Sequence, residues 1–260
     1  TDGSNDYSDD FQSRGFWVNY LAGGSSVLPS RVGLNIPIDL AFAFHTDAGI
    51  KPNDSILGTL AIHTVENTEK RTVYANRTSR WNAREMTDII QTQVVEDIRQ
   101  SFNPDWNRRG LWNRNYSESR VPEVPTMLLE MLSHQNFGDM RYGHDPRFRF
   151  TVSRAVYKGM LRYLAAANNY EYVVQPLPID HFSTRFISDT EVKLSWQPVN
   201  DPLEPTAKPD SYLVYTRIED GGFDNGVLAN AASFTKKIEK NKIYSFKVEA
   251  VNKGGKSFPS

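Results

Sequence analysis

Two residues stand where their chemistry is least expected. His45 follows an apolar run from Leu40 to Phe44, and Glu130 interrupts another, in "MLLEML". A histidine there is either a core side chain whose ring nitrogens meet backbone groups, or a metal ligand or acid–base group at the mouth of a strand. A carboxylate inside an apolar run costs several kcal/mol, of order ~3 or more, unless it is paired or neutralised. Glu130 is therefore either the partner of one of the arginines or part of a site. In open α/β sheets ligands gather at the carboxyl ends of strands, so a His and a Glu at two such ends can face one pocket.

The elements that must position them are legible by period. "SDDFQSRGFWVNYLAG" has the signals of a helix, with Ser8 as N-cap and Gly23 beyond its end. An apolar strand is expected over 36–44, and "LGTLAIHT" forms a second. In "SRWNAREMTDIIQTQVVEDIRQSF", Met86, Ile90, Val94, Ile98 and Phe102 recur every four residues, the apolar stripe of a long helix. A polar loop "RRGLWNRNYSESR" precedes the buried strand "VPTMLLEML". A closing helix, "DPRFRFTVSRAVYKGMLRYLAA", turns Phe148, Val152, Val156, Met160 and Leu164 inward. This alternation predicts a layered α/β domain, a central sheet flanked by helices, over residues 1–170.

Beyond a short linker at 171–178 the texture changes to short alternating strands separated by Pro, Asp, Asn and Gly. "VKLSWQP", "SYLVYTRIE" and "YSFKVEAVNKGGKS" resemble the B, C and F strands of a fibronectin type III sandwich, with Trp196 in its core and Tyr244 opening a tyrosine corner. The domain is expected over 179–260, lacking its last strand.

Composition narrows the partners. Thirty Lys and Arg against 31 Asp and Glu give a formal net charge of −1, which offers no electrostatic footprint for nucleic acid or an anionic membrane. No run is long and apolar enough for a membrane span, and "TDGSNDYSDD" is no signal peptide. The absence of cysteine excludes disulfides and thiolate zinc sites, leaving His, Asp and Glu as the strong metal ligands.

In ordered pieces, residues 1–167 resemble the zinc-dependent N-acetylmuramoyl-L-alanine amidases of bacterial cell walls. "QSRGFWVN" is similar to that family's helix with an Arg and an Asn, and "AFHTD" to its Ser-x-His-x-Asn strand end. "LGTLAIH" is similar to its Gly-led strand, "NRRGLWNRN" to its Arg-Gly loop, and "VPTMLLEMLSHQN" to its Pro-x-x-Leu-x-Glu strand with an Asn six residues on, here Asn136. "VSRAVYKGMLRYL" looks like its terminal helix.

The resemblance implies that His45 is one zinc ligand and that Glu130 is the general base and acid, taking a proton from water and passing it to the leaving amine. Zinc in such hydrolases has three protein ligands and lowers the pKa of its water toward ~7. The scissile bond would join the lactyl group of muramic acid to L-alanine in peptidoglycan or a muropeptide.

The family's other two ligands, a His in a Gly-His-Gly-Gly turn and a Glu, have no counterpart here, so an upstream segment or a second chain is expected to supply them. Ala43 and Asp47 stand where the family has Ser and Asn. His63, with Glu66 just past it, reads as a rim or core histidine, His134 and His144 flank the loop after Glu130, and His181 belongs to the other domain. Arg109, Trp112 and Arg114 have the character of glycan contacts, aromatic face plus charged forks.

The fibronectin module is expected to be a spacer or docking unit, and the protein to be secreted, periplasmic or at the cell surface. The alternatives are a non-catalytic glycan or cell-wall binding protein on the same fold, and a zinc hydrolase of a different amide.

Overall fold

The two apolar runs that carry His45 and Glu130 lie side by side. In a computed structural model, which describes residues 6–260, strand β1 (Ala41–Asp47) pairs in parallel with β4 (Thr126–Ser133). Residues 1–5, which the sequence reading included in the first domain, lie outside the described residues.

Strand β4 is buried at every position except Glu130, which is half-buried, as its continuous apolar sequence requires of a central strand covered on both faces. On its other side β4 pairs antiparallel with β2 (Thr59–His63), which pairs in parallel with β3 (Arg108–Asn113). The sheet order is β1-β4-β2-β3.

One sheet face is covered by α2 (Trp81–Ser101) and α5 (Pro146–Asn168). Met86, Ile90, Val94 and Ile98 of α2 are fully buried against Met127, Leu129 and Ala61 of the sheet, as the period of four predicts. On α5, Phe148, Val152 and Val156 are buried, while Met160 and Leu164 pack at the margin. The two helices approach closely at Gly159, where an added Cβ would lie 2.8 Å from the Ile90 Cα. Asp145 caps α5 by accepting from the Arg147 N–H, and Pro146 occupies the first turn, where its missing donor costs nothing.

Three expectations are corrected. The first strand begins at Ala41 rather than Ile36 and runs on to Asp47, so His45 lies within it. Its ladder starts with Ala41 opposite Thr126, whereas upstream the chain runs back along α1 (Asp6–Ala22), where Leu34 and Ile36 donate to the carbonyls of Tyr20 and Leu21. Pro37 has no N–H to give a ladder. Ser8 sits inside α1, which already includes Asp6, so it is not the N-cap. The segment "RRGLWN", read as loop, is the edge strand β3; its polar residues are tolerated because an edge strand keeps much of its surface in water.

Contacts divide the chain between Asn169 and Tyr170. The second unit is all-β. One sheet has the order β5-β6-β9, from β5 (Asp180–Ser188), β6 (Glu191–Gln197) and β9 (Ser233–Lys237). The other has the order β11-β10-β7-β8, from β7 (Ser211–Ile218), β8 (Val227–Ala229), β10 (Tyr244–Asn252) and β11 (Gly255–Lys256).

Trp196 is buried with Leu194, Val214 and Val248, and the Tyr244 hydroxyl accepts a 2.9 Å hydrogen bond from the Glu239 N–H, closing the tyrosine corner. The strand expected to be missing is begun: β11 pairs with β10, and Ser257 and Ser260 donate to the carbonyls of Ala250 and Val248. No described helix is long and apolar enough to cross a membrane.

Candidate active site

The register between β1 and β4 sets His45 opposite Glu130 as Cα partners, on the sheet face away from α2 and α5. That face carries the apolar group Ala43, Leu60, Ile62 and Leu128, so Glu130 stands at the edge of a dry patch. It has no arginine partner within ion-pair distance, and its Oε2 is buried without a hydrogen bond. Burial pushes its carboxyl above the ordinary value; His45 and Arg109 oppose that rise, while Asp47 and Glu118 add to it. Burial thus favours the neutral form of a carboxyl that has no fixed partner, which suits it to taking up and releasing a proton.

His45 has a partner that the sequence reading missed. Its Nε2 lies 2.8 Å from Oε2 of Glu118, on the short helix α3 (Ser117–Arg120). The other Glu118 oxygen accepts from Arg14 of α1 at 3.0 Å, and Arg14 also pairs with Asp10. Gly15 makes this approach possible, since a Cβ there would lie 2.8 Å from the Val121 Cβ. Arg14, Ala43, His45 and Glu118 line a cleft of about 430 Å3 along the outer edge of β1. Glu118 sits in a polar loop with no apolar run to make a charge conspicuous. The one available signal was its place between two arginines and a short helical turn.

The end of β1 is held from two sides. Asp47 accepts from the N–H groups of Ala48 and Gly49 and pairs with Arg109 at 2.6 Å. Partial burial works against its charge, but Arg109 and the two amides outweigh this and hold the carboxyl below the usual range. Asp47, where the resembled family has Asn, thus ties β1 to β3.

Below it, fully buried Asp139, on α4 (Phe137–Gly143), accepts from the N–H groups of Leu57, Gly58 and Ser133, pinning the loop after β1 to the end of β4. Asn136 caps α4 and donates to the Ser55 carbonyl, so its task is structural.

The other histidines stand apart from the pair. Strand β2 runs antiparallel to β4, which carries His63 away from Glu130; it is buried, with Nδ1 unpartnered. Burial and the nearby Arg84 lower its pKa to about 4. His134 Nδ1 meets Thr46 Oγ1 at 3.1 Å, His144 ends α4, and His181 pairs with Asp180 in the second unit.

A hydrolytic zinc takes three protein ligands. Among the described residues His45 and Glu118 bring two donors together, and no group of three or more His, Asp or Glu side chains is placed to hold a metal. The described residues do not by themselves fit a catalytic zinc.

Residues 177–260 match the fibronectin type III domain family. No curated protein matches the chain. Among solved structures, the chain is similar to an N-acetylmuramoyl-L-alanine amidase from Clostridium difficile 630, at 16% identity and TM-score 0.38, over 49% of this chain and 59% of that one. It is also similar to the amidase AmiC2 of Nostoc punctiforme, at 13% identity and TM-score 0.37, over 48% and 57%. The twitchin kinase region from C. elegans shares 26% identity at TM-score 0.29, over 33% of this chain and 15% of that one. The chain thus spans less than two thirds of each of these structures. At TM-scores below 0.5, none of these likenesses bears on what the chain does.

Proposed function

We propose that the first unit carries the proton-transfer half of a hydrolytic site for the amide between N-acetylmuramic acid and L-alanine in peptidoglycan, with Glu130 as general base and acid. The observation that carries this reading is the register that sets the half-buried Glu130, its Oε2 without a hydrogen bond, beside His45 on the edge strand β1. Glu130 takes a proton from the attacking water and returns it to the departing amine. The dry floor of Leu60 and Leu128 keeps its carboxyl sensitive to charge.

His45 would be one ligand of a zinc ion, which would polarise the scissile carbonyl and acidify the attacking water; a complete ligand set would need donors beyond the described residues. The ordered motifs around His45 and Glu130 support the substrate assignment, and a cell-wall substrate places the protein outside the cytoplasm. The fibronectin module serves as spacer or docking unit.

The test is metal content and muramoyl-alanine cleavage measured side by side on the intact protein and its His45→Ala variant. Both fall together on this reading; cleavage that persists at full rate with His45 removed overturns the ligand role.

A second reading has its own support. The His45 Nε2 is engaged by Glu118 and backed by Arg14, so the cleft has a closed polar wall without any metal. A binding protein that recognises cell-wall glycan or peptide would keep this wall. Such a protein binds muropeptides but releases no amine from them.

A further inference from the structure

We propose that Arg114 and Trp112 form a subsite for a carboxylate on the peptide side of the scissile amide, about three residues from it; this rests on the hydrolase reading above. Register places Trp112 opposite Ile62, Ile62 opposite Leu128, and Leu60 opposite Glu130. Trp112 and Glu130 therefore project from the same sheet face. They are two strand spacings apart across the sheet and two residues apart along it, about 12 Å between Cα atoms. An extended peptide covers that distance in roughly three to four residues.

Arg109 pairs with Asp47 at 2.6 Å, just beyond His45, and its guanidinium lies 5.9 Å from the Trp112 ring. Trp112 is 39% exposed, whereas Leu60 and Ile62 on the same face are each 2% exposed.

The charges decide which ligand fits. Guanidinium groups of both Arg109 and Arg114 lie against the Trp112 ring, at 5.9 and 5.4 Å. The ring thus has two cations beside it, and their charge favours an anionic group as the ligand of this corner. Arg109 is neutralised by Asp47. Arg114 is exposed and, among the described residues, meets no carboxylate within 4 Å; its backbone N–H donates to the His63 carbonyl, and beside the Trp112 ring its guanidinium donates to the Asn113 carbonyl. An exposed guanidinium beside an indole, with donors left over after the Asn113 carbonyl, matches a carboxylate in a two-point hydrogen bond.

The test uses the intact protein and two probes, a muramoyl tripeptide with a free C-terminal carboxylate and the same compound as its C-terminal amide. Calorimetric titration reads binding, and amine release reads cleavage. The acid is expected to bind about tenfold more tightly than the amide, and Arg114→Gln to remove that preference by weakening the acid alone. In cleavage the same change raises KM for the acid and leaves kcat in place. Arg114 is exposed, so the variant keeps the wild-type melting temperature.

Equal binding of acid and amide by the wild type, or a preference that survives Arg114→Gln, overturns the subsite while cleavage of both probes leaves the hydrolase reading standing. A preference lost on Arg114→Gln in a protein that cleaves neither probe supports a carboxylate site and sinks the hydrolase reading instead.

Discussion

Lowering the pH from 7 to 5 should destabilise the first unit through one side chain, His63. It is 4% exposed at the end of β2, its Nδ1 has no hydrogen-bond partner, and its pKa is lowered to about 4 by burial first and by Arg84 second. In the unfolded chain an ordinary histidine titrates near ~6.5. The folded state thus refuses a proton that the unfolded state accepts, and stability is lost as pH falls below the unfolded value, down to the folded one. For those two values the linkage relation gives a loss of about 2 kcal/mol between pH 7 and pH 5, and about 3 kcal/mol by pH 4.

The assay is urea unfolding of the intact protein at pH 7 and pH 5, following the first unit, with His63→Leu measured alongside. Carboxylates contribute to both proteins equally, so the difference between their pH dependences isolates His63. The variant should lose about 2 kcal/mol less than the wild type over that interval. Identical pH dependences, or a His63 ring that titrates near 6.5 by NMR, would refute the reasoning.

Other substitutions test how the site is held. Lys158 and Asp97 form a 2.6 Å ion pair with side chains 1% and 3% exposed between α5 and α2, so Lys158→Met should cost roughly 3–5 kcal/mol in chemical denaturation. Adding Asp97→Leu to that variant should recover much of the loss. Gly159→Ala drives a methyl to 2.8 Å from the Ile90 Cα, and the thermal midpoint should fall by an amount equivalent to about 1–3 kcal/mol. Asp139→Ala orphans three backbone N–H groups and should cost roughly 3 kcal/mol. It should also speed amide hydrogen exchange at residues 57 and 58 while leaving the second unit unchanged.

What could be seen in the sequence follows from what each residue had to contrast with. Glu130 was conspicuous because a charge inside "MLLEML" violates burial, and α2 and α5 because their apolar residues recur at fixed spacing over more than four turns. Trp196 and Tyr244 were legible because a sandwich places them by strand alternation.

Glu118 and Asp139 were not legible. Both lie in polar stretches, and their importance comes from partners 73 to 104 residues away, His45, Arg14, Leu57 and Gly58, which only the sheet order brings near. The same holds for β3, whose arginines conceal an edge strand, and for the direction of β2, which decides that His63 is carried away from the site. Local pattern gives the elements; the long-range pairing that assembles His45, Glu118 and Glu130 has no local signature.

The most direct measurement is cleavage of a defined muramoyl-L-alanine substrate by Glu130→Gln in the intact protein, with melting temperature and metal content recorded on the same sample. Glutamine keeps the shape of the side chain but cannot accept a proton from water. Turnover should fall roughly 10²- to 10⁴-fold, with metal content and thermal midpoint close to the wild type. Unchanged turnover per folded molecule would contradict the account, and would make the buried carboxyl of Glu130 a structural feature of β4 rather than the base of a hydrolytic site.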